Sequence, residues 1–390
     1  MRILIANDTF YPDLNGNSYF THRLASSLIK RGHQVLVIAP SQTFRHEKSV
    51  RGGVPVFGLR SIPIPHYANF RVTLPFFAEK TLTNVIREFN PEAIHIQSHF
   101  TVGRTTMRAG RKLGIKVMGT NHFMPENLVF YFHLPNWLEK KAIGWAWNDF
   151  RRIYEKLDFV TTPTKTAADL LKKHGFSKPV LALSNGIDTK RFYPGQNGAY
   201  LKERYHIPDK PVLLFVGRLD KEKNVDLVLR ALASIDPKIA PHFLIAGKGY
   251  EMENLQRLAK ELKIEDRVTF AGFVKDEDLP FLYNTATVFI NAGIAELQSL
   301  VVMEAMATGL PVIGVNAMAL PELIHDGENG YLFPIGGVNE LTTCIKKMFS
   351  DTRQRELMGR KSLEIIQNHD VEKVMTKFES LYRELSAKAL

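Results

Sequence analysis

The sequence predicts an α/β protein of two Rossmann-like domains in tandem, each a mostly parallel sheet with helices on both faces. Three observations carry this. Short apolar runs alternate with amphipathic helical stretches throughout the chain, the pattern of strand–helix–strand crossovers. Near the middle, Asn185-Gly-Ile-Asp-Thr-Lys-Arg-Phe-Tyr-Pro-Gly-Gln-Asn-Gly198 is rich in turn formers and reads as a hinge. A length of 390 residues, 45% of them hydrophobic, fills two ordinary cores.

In chain order, the first half places strands near 2–6, 34–39, 93–97, 116–120 and 159–162, with a glycine-led helix over 17–31. The second half repeats the pattern with strands near 180–183, 212–217, 242–247, 268–271, 287–291 and 311–315, and a last helix covers 370–387. Domains of 1–185 and 186–369 follow, with a cleft between them and a C-terminal segment 370–390.

Composition narrows the function. The lone Cys344 excludes a disulfide framework or a cysteine zinc cluster and suits a reducing cytosol. No run approaches the roughly 18 apolar residues of a spanning helix, and Asn7-Asp8 interrupts the first apolar stretch too early for a signal peptide. The expected location is cytoplasmic, peripheral on the inner face of the cell membrane. Of the net charge of +11, residues 1–190 carry 26 Lys+Arg against 13 Asp+Glu, so the whole basic excess lies in the first half. That asymmetry points to an anionic partner. No recognition helix or aromatic-strand module argues for nucleic acid, which leaves an anionic membrane surface.

Two segments carry the chemistry. In Glu296-Leu-Gln-Ser-Leu-Val-Val-Met-Glu304-Ala-Met-Ala-Thr-Gly309-Leu-Pro311, two carboxylates flank the start of a short helix, with Ser299 at the N-cap position and Gly309 and Pro311 ending it. A helix N-terminus offers N–H groups to a diphosphate, and the carboxylates can accept hydrogen bonds from hydroxyls. A capped surface helix with two solvated glutamates is the bland alternative. Upstream, the apolar strand Val212-Leu-Leu-Phe-Val216 runs into Gly217-Arg218-Leu-Asp-Lys-Glu-Lys223. A glycine and two cations at a strand's carboxyl end are where an α/β sheet binds phosphates, although cations after strands are also common on surfaces.

These segments, with Ser184-Asn185-Gly186-Ile187-Asp188, resemble the retaining glycosyltransferases of family 4, which have the GT-B fold. The resemblance continues through Arg2-Ile-Leu-Ile-Ala6, Tyr11-Pro-Asp-Leu-Asn-Gly16-Asn-Ser, Thr120-Asn121-His122, Thr162-Pro163-Thr164, Ile245-Ala-Gly247-Lys-Gly249 and Val268-Thr-Phe-Ala-Gly272-Phe-Val274. Two positions depart from it: Asn17 stands where the family commonly has a second glycine, and Ser299 where it has glycine. The resemblance implies that the last helix crosses back onto the first domain. It implies that Gly16 faces the donor phosphates, that His122 contacts the donor sugar near the reacting bond, and that the Val274 strand end contacts the base.

The resulting expectation is a retaining hexosyltransferase, with a nucleoside-diphosphate sugar as donor, UDP-glucose ahead of GDP-mannose. The acceptor is a membrane lipid such as diacylglycerol or a phosphoinositide. A soluble sugar or polysaccharide acceptor, or a non-catalytic regulator that binds sugar nucleotides, is the alternative. Glu296, His122, Arg218 and Lys223 are the expected catalytic residues; Gly16, Gly217, Val274, Ser299, Leu300, Val301 and Glu304 are the donor contacts. Glu296 would hold the sugar hydroxyls and Glu304 the ribose. Arg218, Lys223 and the helix N-terminus would carry the leaving charge, so no metal or other cofactor is expected.

Other features have plainer readings. His95 and His99 have the i,i+4 spacing of some zinc ligands but lie across a strand end, so a metal site is disfavoured. Asp276-Glu277-Asp278 formally matches a metal-binding Asp-x-Asp, yet it precedes Leu279-Pro280 and reads as a helix cap. Arg104, Arg108, Arg111 and Lys112 fall on one cationic helix face. The stripe Ile143, Ala146, Trp147, Phe150, Ile153, Tyr154 and Leu157 reads as core. The aromatic, proline-rich loop 62–77 is the favoured surface for a lipid or glycan.

Overall fold

The computed structural model describes residues 1–13, 15–64, 71–74, 78–126 and 135–387. The chain forms two compact units. One comprises Met1–Pro125, a stretch ending at Asn185, and the C-terminal segment from Glu372; Gly186–Val371 makes up the bulk of the other.

In the first unit the strands are β1 (Arg2–Ala6), β2 (Gln34–Pro40), β3 (Glu47–Arg51), β4 (Val54–Leu59), β5 (Ser61–Pro63), β6 (Arg71–Thr73), β7 (Ala93–Ile96), β8 (Val117–Thr120), β9 (Phe159–Thr162) and β10 (Leu181–Ala182). Eight of them form one sheet in the order β10-β9-β8-β7-β1-β2-β4-β3, and β5 and β6 make a separate antiparallel pair. The central strands are buried on both faces, which is why they read as continuous apolar runs. Within the eight-stranded sheet pairing is parallel except at β3–β4.

One expectation is corrected here. The strand near 180–183, grouped with the second half in the sequence, pairs with β9 through Leu181↔Thr161 and closes the edge of the first sheet. The β3–β4 hairpin was missed. Its two-residue turn, Gly52-Gly53, has φ of 55° and 78°, the double left-handed geometry of a tight hairpin.

The C-terminal helix, Val371–Ala387, packs within the first unit. Its buried Val371, Val374, Met375, Phe378, Tyr382 and Leu385 recur at helical spacing. Phe378 lies 5.8 Å from the Phe20 ring. Arg31 forks between Glu372 and Glu379, each at 2.5 Å, and His33 meets Glu379 at 2.7 Å.

The second unit holds β11 (Val212–Val216), β12 (His242–Ala246), β13 (Val268–Gly272), β14 (Val288–Asn291), β15 (Val312–Val315) and β16 (Gly330–Phe333), the last missed from sequence. They form an all-parallel sheet in the order β13-β12-β11-β14-β15-β16. Chain order therefore reverses between β11 and β14 here, and between β1 and β7 in the first sheet. Ligands of open α/β sheets bind beyond the carboxyl ends of the strands at such a reversal. Glycines let the loops there approach closely. A Cβ on Gly247 (φ 155°) would stand 1.7 Å from the Gly217 carbonyl oxygen, and one on Gly249 2.3 Å from that of Leu219.

Candidate active site

At the reversal in the second sheet, the segment after β11 is tied to the segment after β14. Asn224, left-handed at φ 48°, donates from Nδ2 to the Ala292 carbonyl at 3.0 Å, and the Ile294 N–H donates to the Glu222 carbonyl at 3.1 Å. These ties bring Lys223 Nζ to 2.7 Å from Glu296 Oε1, with both side chains less than a fifth exposed. Gly293 sits beside the pair: a Cβ there would come within 3.3 Å of both Glu296 Oε1 and Lys223 Cδ, so the two side chains would have to give way slightly.

Arg218 is held differently. Its side chain is 55% exposed, but Nη1 lies 2.6 Å from Asp220 and Nη2 3.4 Å from Glu222, both of them buried carboxylates. Two acids thus hold the guanidinium of a side chain that is half exposed. Neither acid was singled out from the sequence, although both lie within the quoted segment.

The helix Leu300–Ala307 starts beside this pair. Ser299 occupies the N-cap position, yet its hydroxyl makes no capping bond; it accepts from Asn291 Nδ2 at 2.9 Å. The residue type expected to cap the helix instead braces the end of β14. Glu304, inside the helix, accepts at Oε2 from the Tyr283 hydroxyl at 2.7 Å. Tyr283 is fully buried, and burial first, then the Glu304 charge, push its phenol well above the usual range, so it stays a proton donor. Nothing in the sequence marked this tyrosine. After β13, Val274 is buried in the core while Phe273 is 52% exposed, so Phe273 is the side chain this strand end presents.

The Asp276–Asp278 turn does not cap the following helix through its side chains. Asp278 accepts from the Tyr200 hydroxyl at 2.6 Å and from Arg204 at 2.8 Å, while Asp276 pairs with Arg191 at 2.8 Å.

In the first unit the reversal lies between β1 and β7. Asn15 caps the helix Gly16–Lys30 by accepting from the Ser18 N–H at 2.9 Å, which leaves Gly16 exposed at its first position. Asn17, one of the departures noted above, exchanges amide bonds with Asn7 at 3.1 Å and donates to the Gln97 carbonyl at 3.1 Å. It ties the ends of the two central strands together. Asp8 accepts from the Val102 and Gly103 N–H groups at 2.8 and 3.3 Å, capping the helix Thr101–Lys112 from outside its own sequence.

His122 follows β8. Its Nε2 lies 2.9 Å from Gln97 Oε1, and its ring packs 4.9 Å from that of Phe20. A carbonyl oxygen only accepts, so Nε2 carries the proton and Nδ1 keeps a lone pair. Burial drops the His122 pKa to about 3, so the ring is neutral at physiological pH. Gln97 Nε2 in turn sits 3.2 Å from the His95 ring nitrogens, and His95 is bonded to Tyr382 and Thr120 at 2.7 Å each.

His95 is thus a buried structural hub, with its pKa pushed down to about 3 by burial. His99 is enclosed by Phe100, Phe123 and Phe150, with ring separations of 4.2, 4.7 and 5.4 Å. On the cationic face of Thr101–Lys112, Arg104 pairs with Asp149 and Lys112 with Glu79, while Arg111 bonds the Lys156 carbonyl and Arg108 is exposed. Most of the 62–77 loop, residues 65–70 and 75–77, lies outside the described residues.

Two parallel-sheet units with polar loops at both reversals define a GT-B protein. Over 99% of this chain and 100% of the other, the fold is similar to that of sucrose-phosphate synthase from Thermosynechococcus elongatus, with a TM-score of 0.81 at 22% identity. The family model for glycosyltransferase family 4 matches residues 14–191, and that for glycosyl transferases group 1 matches residues 200–364. The chain belongs to the family-4 glycosyltransferases. It is 27% identical to a GDP-mannose-dependent alpha-mannosyltransferase of Corynebacterium glutamicum, over 92% of this chain and 83% of that protein. It is 26% identical to the alpha-monoglucosyldiacylglycerol synthase of Streptococcus pneumoniae, over 85% and 75%.

Proposed function

We propose that the protein transfers a hexose from a nucleoside-diphosphate sugar to a membrane lipid, with retention at the anomeric carbon and without a metal. The observation that carries this reading is the Lys223–Glu296 pair at the reversal of the second sheet, beside the half-exposed Arg218. Cleavage of the donor builds negative charge on the departing diphosphate and positive character on the sugar, as in glycoside hydrolysis. Arg218 and Lys223 bind the diphosphate, together with the N–H groups at Ser299, Leu300 and Val301. Lys223 can reach a phosphate oxygen while still bonded to Glu296, because an ammonium has three donors.

Glu296 takes the sugar hydroxyls and Glu304, oriented by Tyr283, takes the ribose. Gly217 lets the backbone approach the phosphates, and the strand end at Phe273-Val274 meets the base. On the first unit Gly16 and His122 are the candidate donor contacts, and the lone pair on His122 Nδ1 could accept from a sugar hydroxyl. The leaving phosphate serves as base for attack from the same face.

The relatives' names favour a hexose and, for the pneumococcal enzyme, a diacylglycerol-based product. GDP-mannose and UDP-glucose are the two donors to try first, with diacylglycerol or a phosphoinositide as acceptor. Among the described residues no helix is long and apolar enough to cross a membrane. In this reading the protein meets the lipid by peripheral docking on the inner face of the cell membrane, which the basic excess of residues 1–190 favours.

The test is nucleotide release from UDP- and GDP-sugars, with and without anionic vesicles that contain diacylglycerol. Release from one donor that rises with the lipid supports the reading. Release indifferent to lipid moves the acceptor to a soluble glycan. Nucleotide binding without release from any donor makes the chain a regulator and refutes the enzymatic reading.

A further inference from the structure

The helix Asn136–Tyr154 is built from two halves with different surroundings. Toward its C-terminal end Trp147, Phe150, Ile153 and Tyr154 are buried, and Trp147 stacks on His174 at 4.1 Å. Toward its N-terminal end the apolar residues face outward instead: Trp137 is 64% exposed, Trp145 70% and Leu138 36%. At about 100° per residue, Trp137, Lys141, Trp145, Leu138 and Arg152 fall within a single arc of about 100°. The two tryptophans stand about 12 Å apart along the axis.

Lys141 Nζ lies 5.4 Å from the Trp137 ring centroid, so cation and ring share this face. Gly144 lies on the same side, and a Cβ there would meet no atom within 4 Å, so no other described part of the chain covers the arc. Within the helix the arc holds no carboxylate; Glu155, one residue past its end, accepts from the Ser177 N–H and hydroxyl at 3.2 and 3.1 Å. Asp149, at its border, is already paired with Arg104.

Tryptophans interleaved with cations on an uncovered helix face fit the headgroup level of an anionic bilayer, where the rings lie among the ester groups and the cations meet lipid phosphates. A protein partner of ordinary surface would not call for this charge. We propose that the Trp137–Trp145 face of this helix is the surface by which the protein docks on an anionic membrane leaflet. The proposal deepens the lipid-acceptor reading and rests on it: the face would carry the first unit to its acceptor. The stripe from Ile143 to Leu157 that reads as core in the sequence runs along the second half of this helix and just past its end, where Trp147, Phe150, Ile153, Tyr154 and Leu157 are buried.

The three tryptophans provide the test. In the wild-type protein, vesicles of phosphatidylcholine with phosphatidylglycerol should shift the tryptophan emission to the blue, and brominated lipid should quench it; vesicles of phosphatidylcholine alone should do much less. The Trp137→Ser/Trp145→Ser variant keeps only the buried Trp147, so its emission should not respond. Its flotation with anionic vesicles should fall on the order of 10-fold or more. Lys141→Gln/Arg152→Gln should weaken flotation and flatten its dependence on salt.

Nucleoside diphosphate binding checks that each variant is folded. Unchanged flotation of the double tryptophan variant would overturn the proposal. So would a wild-type dimer in sedimentation that the same variant converts to monomer, since that would assign the face to a second copy of the chain. Vesicle binding is read without donor or acceptor. A chain that docks but glycosylates only soluble sugars would therefore refute the lipid-acceptor reading and leave the docking face standing.

Discussion

Replacing Glu296 by glutamine separates two roles that the structure places in one contact. Lys223 Nζ and Glu296 Oε1 are 2.7 Å apart. At an effective dielectric near 20, unit charges at that distance attract by about 6 kcal/mol gross. Desolvation of two side chains that are less than a fifth exposed takes back most of it. Glutamine preserves the shape and one hydrogen bond but leaves the ammonium without its counter-charge. If Lys223 serves the diphosphate and Glu296 the sugar, Glu296→Gln should lower kcat/KM by at least ~100-fold, the scale of one lost stabiliser of transition-state charge. It should also tighten the binding of free nucleoside diphosphate by several-fold, because Lys223 then turns wholly to the phosphates. Lys223→Ala should weaken both. Steady-state kinetics and calorimetric titration of the nucleotide read the two effects separately. If Glu296→Gln keeps near-wild-type turnover, or loses diphosphate affinity as Lys223→Ala does, the division of labour is wrong.

Gly247→Ala would force a Cβ to 1.7 Å from the Gly217 carbonyl oxygen, so it should destabilise the second unit by about 3 kcal/mol or more and depress nucleotide binding with it; an unchanged Tm would refute the close approach. His95 and His122 titrate near pH 3 and His99 near pH 4 in the folded chain, all lowered by burial and below the value of about 6.5 expected when unfolded. Their contribution is complete above pH ~6.5 and is lost as pH falls toward 4 and then 3, by up to about 1.4 kcal/mol per pH unit for each histidine. Chemical denaturation at pH 7.5 and pH 5 should show that loss, and equal stabilities would contradict it. Gln97→Leu removes the acceptor that sets the His122 tautomer and should lower kcat about 10-fold, on the scale of one hydrogen bond, with diphosphate affinity unchanged. Wild-type kcat would remove Gln97 from the account.

The frame was legible because buried parallel strands need continuous apolar runs, and Val212–Val216 or Arg2–Ala6 could hardly read otherwise. Glu47–Arg51 escaped because it is an edge strand of almost wholly polar residues; the Gly52-Gly53 dipeptide after it was the usable signal. Leu181–Ala182, two exposed residues, joined the other sheet because register depends on neighbours rather than on composition.

The sequence placed Arg218 and Lys223 after a strand at 212–217 and Glu296 after one at 287–291, and β11 and β14 lie there, since those positions follow from topology. It could not show that Lys223 and Glu296, 73 residues apart, touch, or that Ser299 braces Asn291 instead of capping its helix. Nor could it show Gln97 beneath His122. Periodicity marked the buried stripe from Ile143 to Leu157, but it could not show that Trp137, Leu138 and Trp145 of the same helix face outward.

The most direct test of hexosyl transfer is mass-spectrometric analysis of lipid after incubation with diacylglycerol vesicles and either GDP-mannose or UDP-glucose, run beside Arg218→Ala, Lys223→Ala and Glu296→Gln. The predicted result is a lipid heavier by one hexose from one of the donors, reduced at least ~100-fold in each variant. A product formed equally well by all three variants would place the chemistry elsewhere on the chain, and the absence of any hexosylated lipid would contradict the lipid acceptor.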